Sequence, residues 1–285
     1  EKFHQFICRK KFADFNCCAS KNTRWWVCDC CEINPSKMSL SAKAGGGHRG
    51  GKWNMPSKAL KKIARSGVYT NNCVDREDLW VQCLDLDMSD LAVRDDTKYY
   101  NTTIQAPVPK GQHVDEFFIS LPNVPFVDLS KGDYDLVANV QTTKVLYALY
   151  QSTGLEEGAF LPLLVGLMRA VPLNNISIFR MIRALLKTSK QNPDMFVGLS
   201  LRSTVLTAMR LESVLATRCS KAYSVVCPNK EACLSFTMLI VDCIRTYCKP
   251  MLHTEAEQLR FLDIFFAEGS KAFCRFFLGL FMEKK

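Results

Sequence analysis

Apolar residues recur at three- and four-residue spacing through the second half of the chain, in YDLVANVQTTKVLYALY, ISIFRMIRALLKT and RSTVLTAMRLESVLA. That is the period of helices burying one face, and it predicts helical structure from Tyr134 onward. CLSFTMLIVDCI is apolar all round and predicts a buried helix, with a strand as the alternative. Thr254, with Glu257 three residues later, forms a capping-box pattern before EQLRFLDIFF, and Gly269 closes that helix. The last segment, SKAFCRFFLGLFMEKK, is dense in Phe and Leu and reads as a final core helix or as a surface awaiting another subunit.

Upstream the pattern changes. Ser57 opens a short helix, SKALKKIARSG, closed by Gly67, whose cations Lys58, Lys61, Lys62 and Arg65 share one face. That face is a solvated lysine surface or a stripe meeting phosphates or a partner. NTTIQAPVP and EFFISLPNVPFVDLS, bounded by prolines and rich in β-branched residues, predict strands or an extended arm. The segment from Ile33 to Pro56 is Gly-, Ser- and Lys-rich and reads as a loop.

At 285 residues and 48% apolar composition, the chain is long enough to fill a core without crosslinks. No apolar run reaches the roughly 18 residues that a membrane span needs, and no secretory leader pattern appears, so a soluble, intracellular protein is expected. The net charge of +9 is unevenly spread. Residues 1–70 carry 14 Lys/Arg against 4 Asp/Glu, residues 71–135 carry 5 against 13, and residues 136–285 carry 18 against 11. A basic head and an acidic middle can bind nucleic acid, or pair with a neighbouring copy. In ISIFRMIRALLKT, Arg180, Arg183 and Lys187 form a second basic stripe, opposite Ile178, Ile182 and Leu185.

CRKKFADFNCCASKNTRWWVCDCC, residues 8–31, holds six of the fourteen cysteines. Cys28 and Cys31 have the spacing that lets one turn close around zinc. Cys18 and Cys8 complete a reasonable set of four, with Cys17 and Cys30 as alternative ligands and His4 as a possible substitute. Disulfides and buried thiols are the competing readings. Trp25 and Trp26 supply apolar mass to a module too small to build its own core. The late cysteines, at 219, 227, 233, 243, 248 and 274, show no tight metal spacing and read as small buried hydrophobes or crosslinks.

Other chemistry finds little support. GGHRGGKW, residues 46–53, approaches a phosphate-binding loop, but Trp53 stands where a magnesium-binding hydroxyl belongs and no buried strand precedes it. Asp85, Asp87, Asp90, Asp95 and Asp96 lack a glycine-turned ligand loop. The four histidines carry no nucleophile-base pattern.

Taken with the order Cys8, Phe15 to Cys18, Trp25-Trp26-Val27-Cys28 and Cys31, three further segments form a resemblance: LPNVPFVDLSKGDYDLVANVQTTKVLYALY, IFRMIRALLKTSKQNPDMF and HTEAEQLRFLDI. Together they make the chain similar to the major capsid protein of baculoviruses and related nuclear, arthropod-infecting large DNA viruses such as nudiviruses. The sequence departs from that family where Cys31 replaces a His ligand. A Cys between the second and third landmarks is also missing, so Cys17 and Cys18 must supply both the ligand and any disulfide there.

The resemblance implies a non-enzymatic structural protein, a zinc-containing dimer that assembles with itself and other capsid proteins into a helical, rod-shaped nucleocapsid around double-stranded DNA. It implies a place in the virion, with assembly in the host nucleus, no membrane and no small-molecule substrate. The expected fold is mainly α with some β. It comprises a zinc-binding module at 1–34, a loop at 35–56, an acidic and partly extended middle at 57–133, and a helical core and assembly region at 134–285. The alternative is a zinc-containing, basic nucleic-acid-binding nucleoprotein or regulator whose stripes track phosphates.

Overall fold

The computed structural model describes residues 56–67, 75–106, 140–153, 161–191 and 201–282. Among them are eleven α-helices, one 3-10 turn and no strand. The helices are α1 (Lys58–Ser66), α2 (Asp75–Cys83), α3 (Asp90–Gln105), α4 (Val140–Thr153), α5 (Leu161–Met168), α6 (Asn175–Gln191), α7 (Leu201–Arg218), α8 (Ser220–Val226), α9 (Lys230–Arg245), α10 (Glu255–Glu268) and α11 (Lys271–Met282). No helix among the described residues is long and apolar enough to cross a membrane.

The expectation of some β is corrected here: the described part is all α, including the described part of the acidic middle. NTTIQ, read as extended, forms the last turns of α3. Ser89 caps that helix at Ala92 N–H, and the Thr97 and Thr103 hydroxyls donate to the carbonyls of Val93 and Tyr99, one turn back. Tyr99 and Tyr100 lie against Phe179 of α6, at centroid distances of 6.0 and 5.5 Å. Packing against α6 thus outweighs the weak helix preference of the β-branched residues. Ala106 ends the helix in an extended conformation, immediately before Pro107. The other expected extended segment, around residues 116–130, lies outside the described residues, as does the cysteine module at 1–34.

One helix organises the rest. α10 packs on α1, α2, α5 and α11, while α3, α4, α5 and α6 form one set of mutually packed helices and α7, α8, α9 and α11 another. Its start is set locally: Thr254 accepts from Glu257 N–H, and the Glu257 carboxylate accepts from Thr254 N–H. Its sides are set by burial, with Leu259, Phe261, Leu262, Phe265 and Phe266 all in the core. Phe261 and Phe265 meet Phe273 of α11 at 5.2 and 5.8 Å, so the Phe-rich final segment is a core helix.

α10 also carries two carboxylates inward, and each is met by cations from other helices. Glu268 accepts from Arg65 of α1 and Arg275 of α11. Gly67, at φ +65°, ends α1 beside this contact, where a Cβ would come within 3.0 Å of the Arg260 side chain. Asp263 accepts from Arg76 Nε at 3.0 Å and from Trp80 Nε1 at 2.8 Å, which ties α10 to α2.

Burial pushes the Asp263 carboxyl up to about 6, against the pull of Arg76, Trp80 and Arg260. Because that folded value lies above the ordinary 3.8, protonation favours the fold. The contribution of this group is complete below about pH 4 and is lost as pH rises through about 6. Urea unfolding between pH 4 and 7 is expected to show wild type gaining stability over Asp263→Asn as pH falls; parallel profiles would contradict the assignment.

Candidate metal centre

The corner joining α7 to α9 is short and polar at its turns. Cys219 separates α7 from α8, and Cys227 ends α8, its N–H bonded to Tyr223 O at 2.8 Å. Pro228 follows, and Asn229 caps α9 through Ala232 N–H at 2.8 Å. This places Cys233 in the first turn of α9, near the positive end of that helix. α7 packs on both α8 and α9, which brings Glu212 to the same place.

Glu212, Cys227 and Cys233 each present one ligand atom, and these atoms lie within 4.8 Å of one another. Cys227 is buried, while Glu212 and Cys233 are half-buried. A second layer of hydroxyls holds the carboxylate. Tyr223 donates to Glu212 Oε1 at 2.6 Å, and Thr237, one turn beyond Cys233 on α9, donates to Oε2. The Tyr223 oxygen is also 3.7 Å from Cys233 Sγ. Burial pushes the Cys227 thiol up to about 11, with Cys233 and Glu212 adding to the rise and the Tyr223 hydrogen bond opposing it. Burial, followed by the hydrogen bond to Glu212, likewise raises Tyr223. Cys219, at the other end of α8, is raised by burial.

These three residues could hold a metal ion. Thiolates favour a borderline-soft ion over calcium or magnesium, which take oxygen ligands. The spacing of the late cysteines carries no such indication, because Cys227 and Cys233 are six apart and Glu212 reaches them only through helix packing. The one sequence signal that points to the site is Pro228-Asn229 directly after Cys227, a turn pattern that brings Cys233 back toward Cys227.

The residues singled out from the sequence fall elsewhere. Cys8, Cys17, Cys18, Cys28, Cys30 and Cys31 lie outside the described residues. On α1, Lys58 is exposed, Lys61 and Lys62 are half-buried, and Arg65 turns toward Glu268. The stripe on α6 divides. Arg180 is buried, with Nε 2.9 Å from Asp96 Oδ2 and a further bond to the Asp87 carbonyl. Arg183 donates to Asp96 Oδ1 at 2.6 Å, its guanidinium also lying 5.9 Å from the Tyr99 ring and 5.8 Å from that of Phe179. Lys187 is exposed. Part of the acidic middle therefore pairs with the basic stripe of its own chain.

Comparison of the chain with protein-family models, with curated proteins and with solved structures gives no match.

Proposed function

We propose that the chain is a non-enzymatic structural subunit that associates with copies of itself, with zinc as a structural cofactor. The observation that carries this reading is apolar exposure on three helices that pack on one another. Leu206 and Met209 of α7, one turn apart, are 44% and 56% exposed; Val225 of α8 is 78% and Leu234 of α9 is 65% exposed. Apolar side chains gathered on neighbouring elements gain by leaving water against a partner. The resemblance noted in the sequence supplies the finer form: a dimer building a rod-shaped nucleocapsid around double-stranded DNA in the nucleus, alongside other capsid proteins, with a zinc module at Cys8, Cys18, Cys28 and Cys31.

The nucleic-acid-binding alternative is weakened by where its cations point. Phosphate tracking needs Lys or Arg available at the surface; Lys58 and Lys187 are exposed, but Arg65, Arg180 and Arg183 are engaged with Glu268 and Asp96. Electron microscopy of the purified protein without nucleic acid is expected to show ordered tubes or sheets, lost in a Met209→Glu/Leu234→Glu variant that keeps its helicity. An isolated monomer that binds DNA with a steep loss of affinity in salt would overturn the proposal.

A further inference from the structure

We infer that Glu212, Cys227 and Cys233 bind one zinc ion that clamps α7 to the corner between α8 and α9. The inference concerns a site separate from the N-terminal cysteines and does not rest on the self-assembly reading. The donor set suits the ion: two sulfurs and one carboxylate oxygen, all within 4.8 Å of one another, can move onto a zinc at about 2.3 Å from sulfur and about 2.1 Å from oxygen. Tetrahedral ligands at such distances stand just under about 4 Å apart, so only small side-chain shifts are needed.

The surroundings are those of a built site. A ligating carboxylate needs partners that fix its orientation, and both oxygens of Glu212 have them, in Tyr223 and Thr237. The charge also balances. On binding, Cys227 and Cys233 each release a proton to solvent, and the two thiolates offset the two charges of the ion. The net charge of the site thus remains that of the Glu212 carboxylate, and no new net charge is buried. The Tyr223 hydroxyl already donates to Glu212 and serves as a positioning group, which leaves the fourth position to a water entering past the half-buried Glu212 and Cys233.

The consequence is mechanical. α8 has seven residues and no fully buried side chain; Ala222, Tyr223 and Val226 rest half-buried against the core. An ion joining Cys227 at its end to Glu212 of α7 and Cys233 of α9 would add a tie to that shallow packing.

The test uses the full chain, with zinc content, cobalt(II) absorption and thermal unfolding as readouts. A Cys227→Ala/Cys233→Ala variant is expected to hold one zinc fewer per chain than wild type and to lose thiolate-to-cobalt charge-transfer intensity. A Cys28→Ser variant is expected to retain this site's share of both. Thr237→Val, nearly the same shape as the residue it replaces, is expected to weaken zinc binding about 10- to 100-fold, by freeing the carboxylate it positions. Zinc is expected to raise the unfolding midpoint of Cys28→Ser but not of a triple variant that also lacks Cys227 and Cys233. Equal zinc content and cobalt spectra in wild type and the double variant would overturn the site. If the double variant fails to fold, unchanged zinc affinity in Thr237→Val and Glu212→Gln would overturn it instead.

Discussion

Asp263→Ala is expected to lower the free energy of unfolding at pH 7 by about 3–5 kcal/mol, the cost of removing one partner from a fully buried ion pair. Asp263 is 0% exposed and Arg76 2%. The carboxylate accepts from Arg76 Nε and from Arg76 Nη2 at 3.2 Å, and it also accepts the Trp80 indole N–H. Truncation leaves the guanidinium without its carboxylate in the core, where water cannot replace it. The hydrogen-bonded carboxylate also positions Trp80, whose ring lies 4.9 Å from that of Phe266, so its loss loosens the joint between α2 and α10. A double replacement, Arg76→Met with Asp263→Leu, is expected to recover only part of the loss: an apolar pair avoids burying either charge, but the buried Trp80 indole N–H is left without its acceptor. Urea unfolding with an unchanged dependence on denaturant is the measurement. A loss below about 1 kcal/mol for the single variant would show that the pair is not the joint described here.

Asp96→Ala is expected to cost about 2–3 kcal/mol, since it removes the carboxylate shared by Arg180 and Arg183. The cost is smaller than at Asp263 for two reasons. The Asp96 side chain is 24% exposed, so its solvation in the wild type is only partly lost, and Arg180 keeps its bond to the Asp87 carbonyl. The same substitution releases Arg183, which is 45% exposed, toward solvent. Affinity for double-stranded DNA is therefore expected to rise slightly in Asp96→Ala and to fall off more steeply with salt. Lys187→Ala, at an exposed position of the same helix, is expected to stay within about 0.5 kcal/mol of wild type. Equal stability losses at positions 96 and 187 would argue against an inward-facing stripe.

These two substitutions also mark where the sequence was readable and where it was not. The start of α1 at Ser57, its stop at Gly67 and the capping box opening α10 were legible, as were the helical period of α6 and α7 and the last core helix. The helical ending of α3 was not. Its threonines resemble strand residues in isolation, and only Tyr99 and Tyr100 meeting Phe179, some eighty positions away, favour the helix. Arg180 illustrates the same limit. Its helical spacing with Arg183 and Lys187, opposite Ile178, Ile182 and Leu185, made it look like the polar side of an amphipathic helix, whereas Asp96 draws it into the core.

The candidate metal centre was less visible still. Short cysteine spacings announce zinc because one turn can close around an ion, and this led to Cys28 and Cys31. Cys227 and Cys233 lack that spacing, and their third companion, Glu212, lies in RLESVLA, an ordinary amphipathic stretch. Only the packing of α7 against α9 puts the carboxylate beside the thiols.

The sequence by itself determined where α1 and α10 begin and end and that α6 and α7 carry an apolar face. Caps and periodicity are interactions between residues three or four apart, so they are written within a single turn. Tertiary structure alone decided which charges are buried, that Asp263 enters the core with Arg76 while Glu268 is met there by the partly exposed Arg65 and Arg275, and that one glutamate and two cysteines converge. The free energy of a buried charge or of a ligand set depends on partners from other helices, and no local pattern specifies how far away those partners stand.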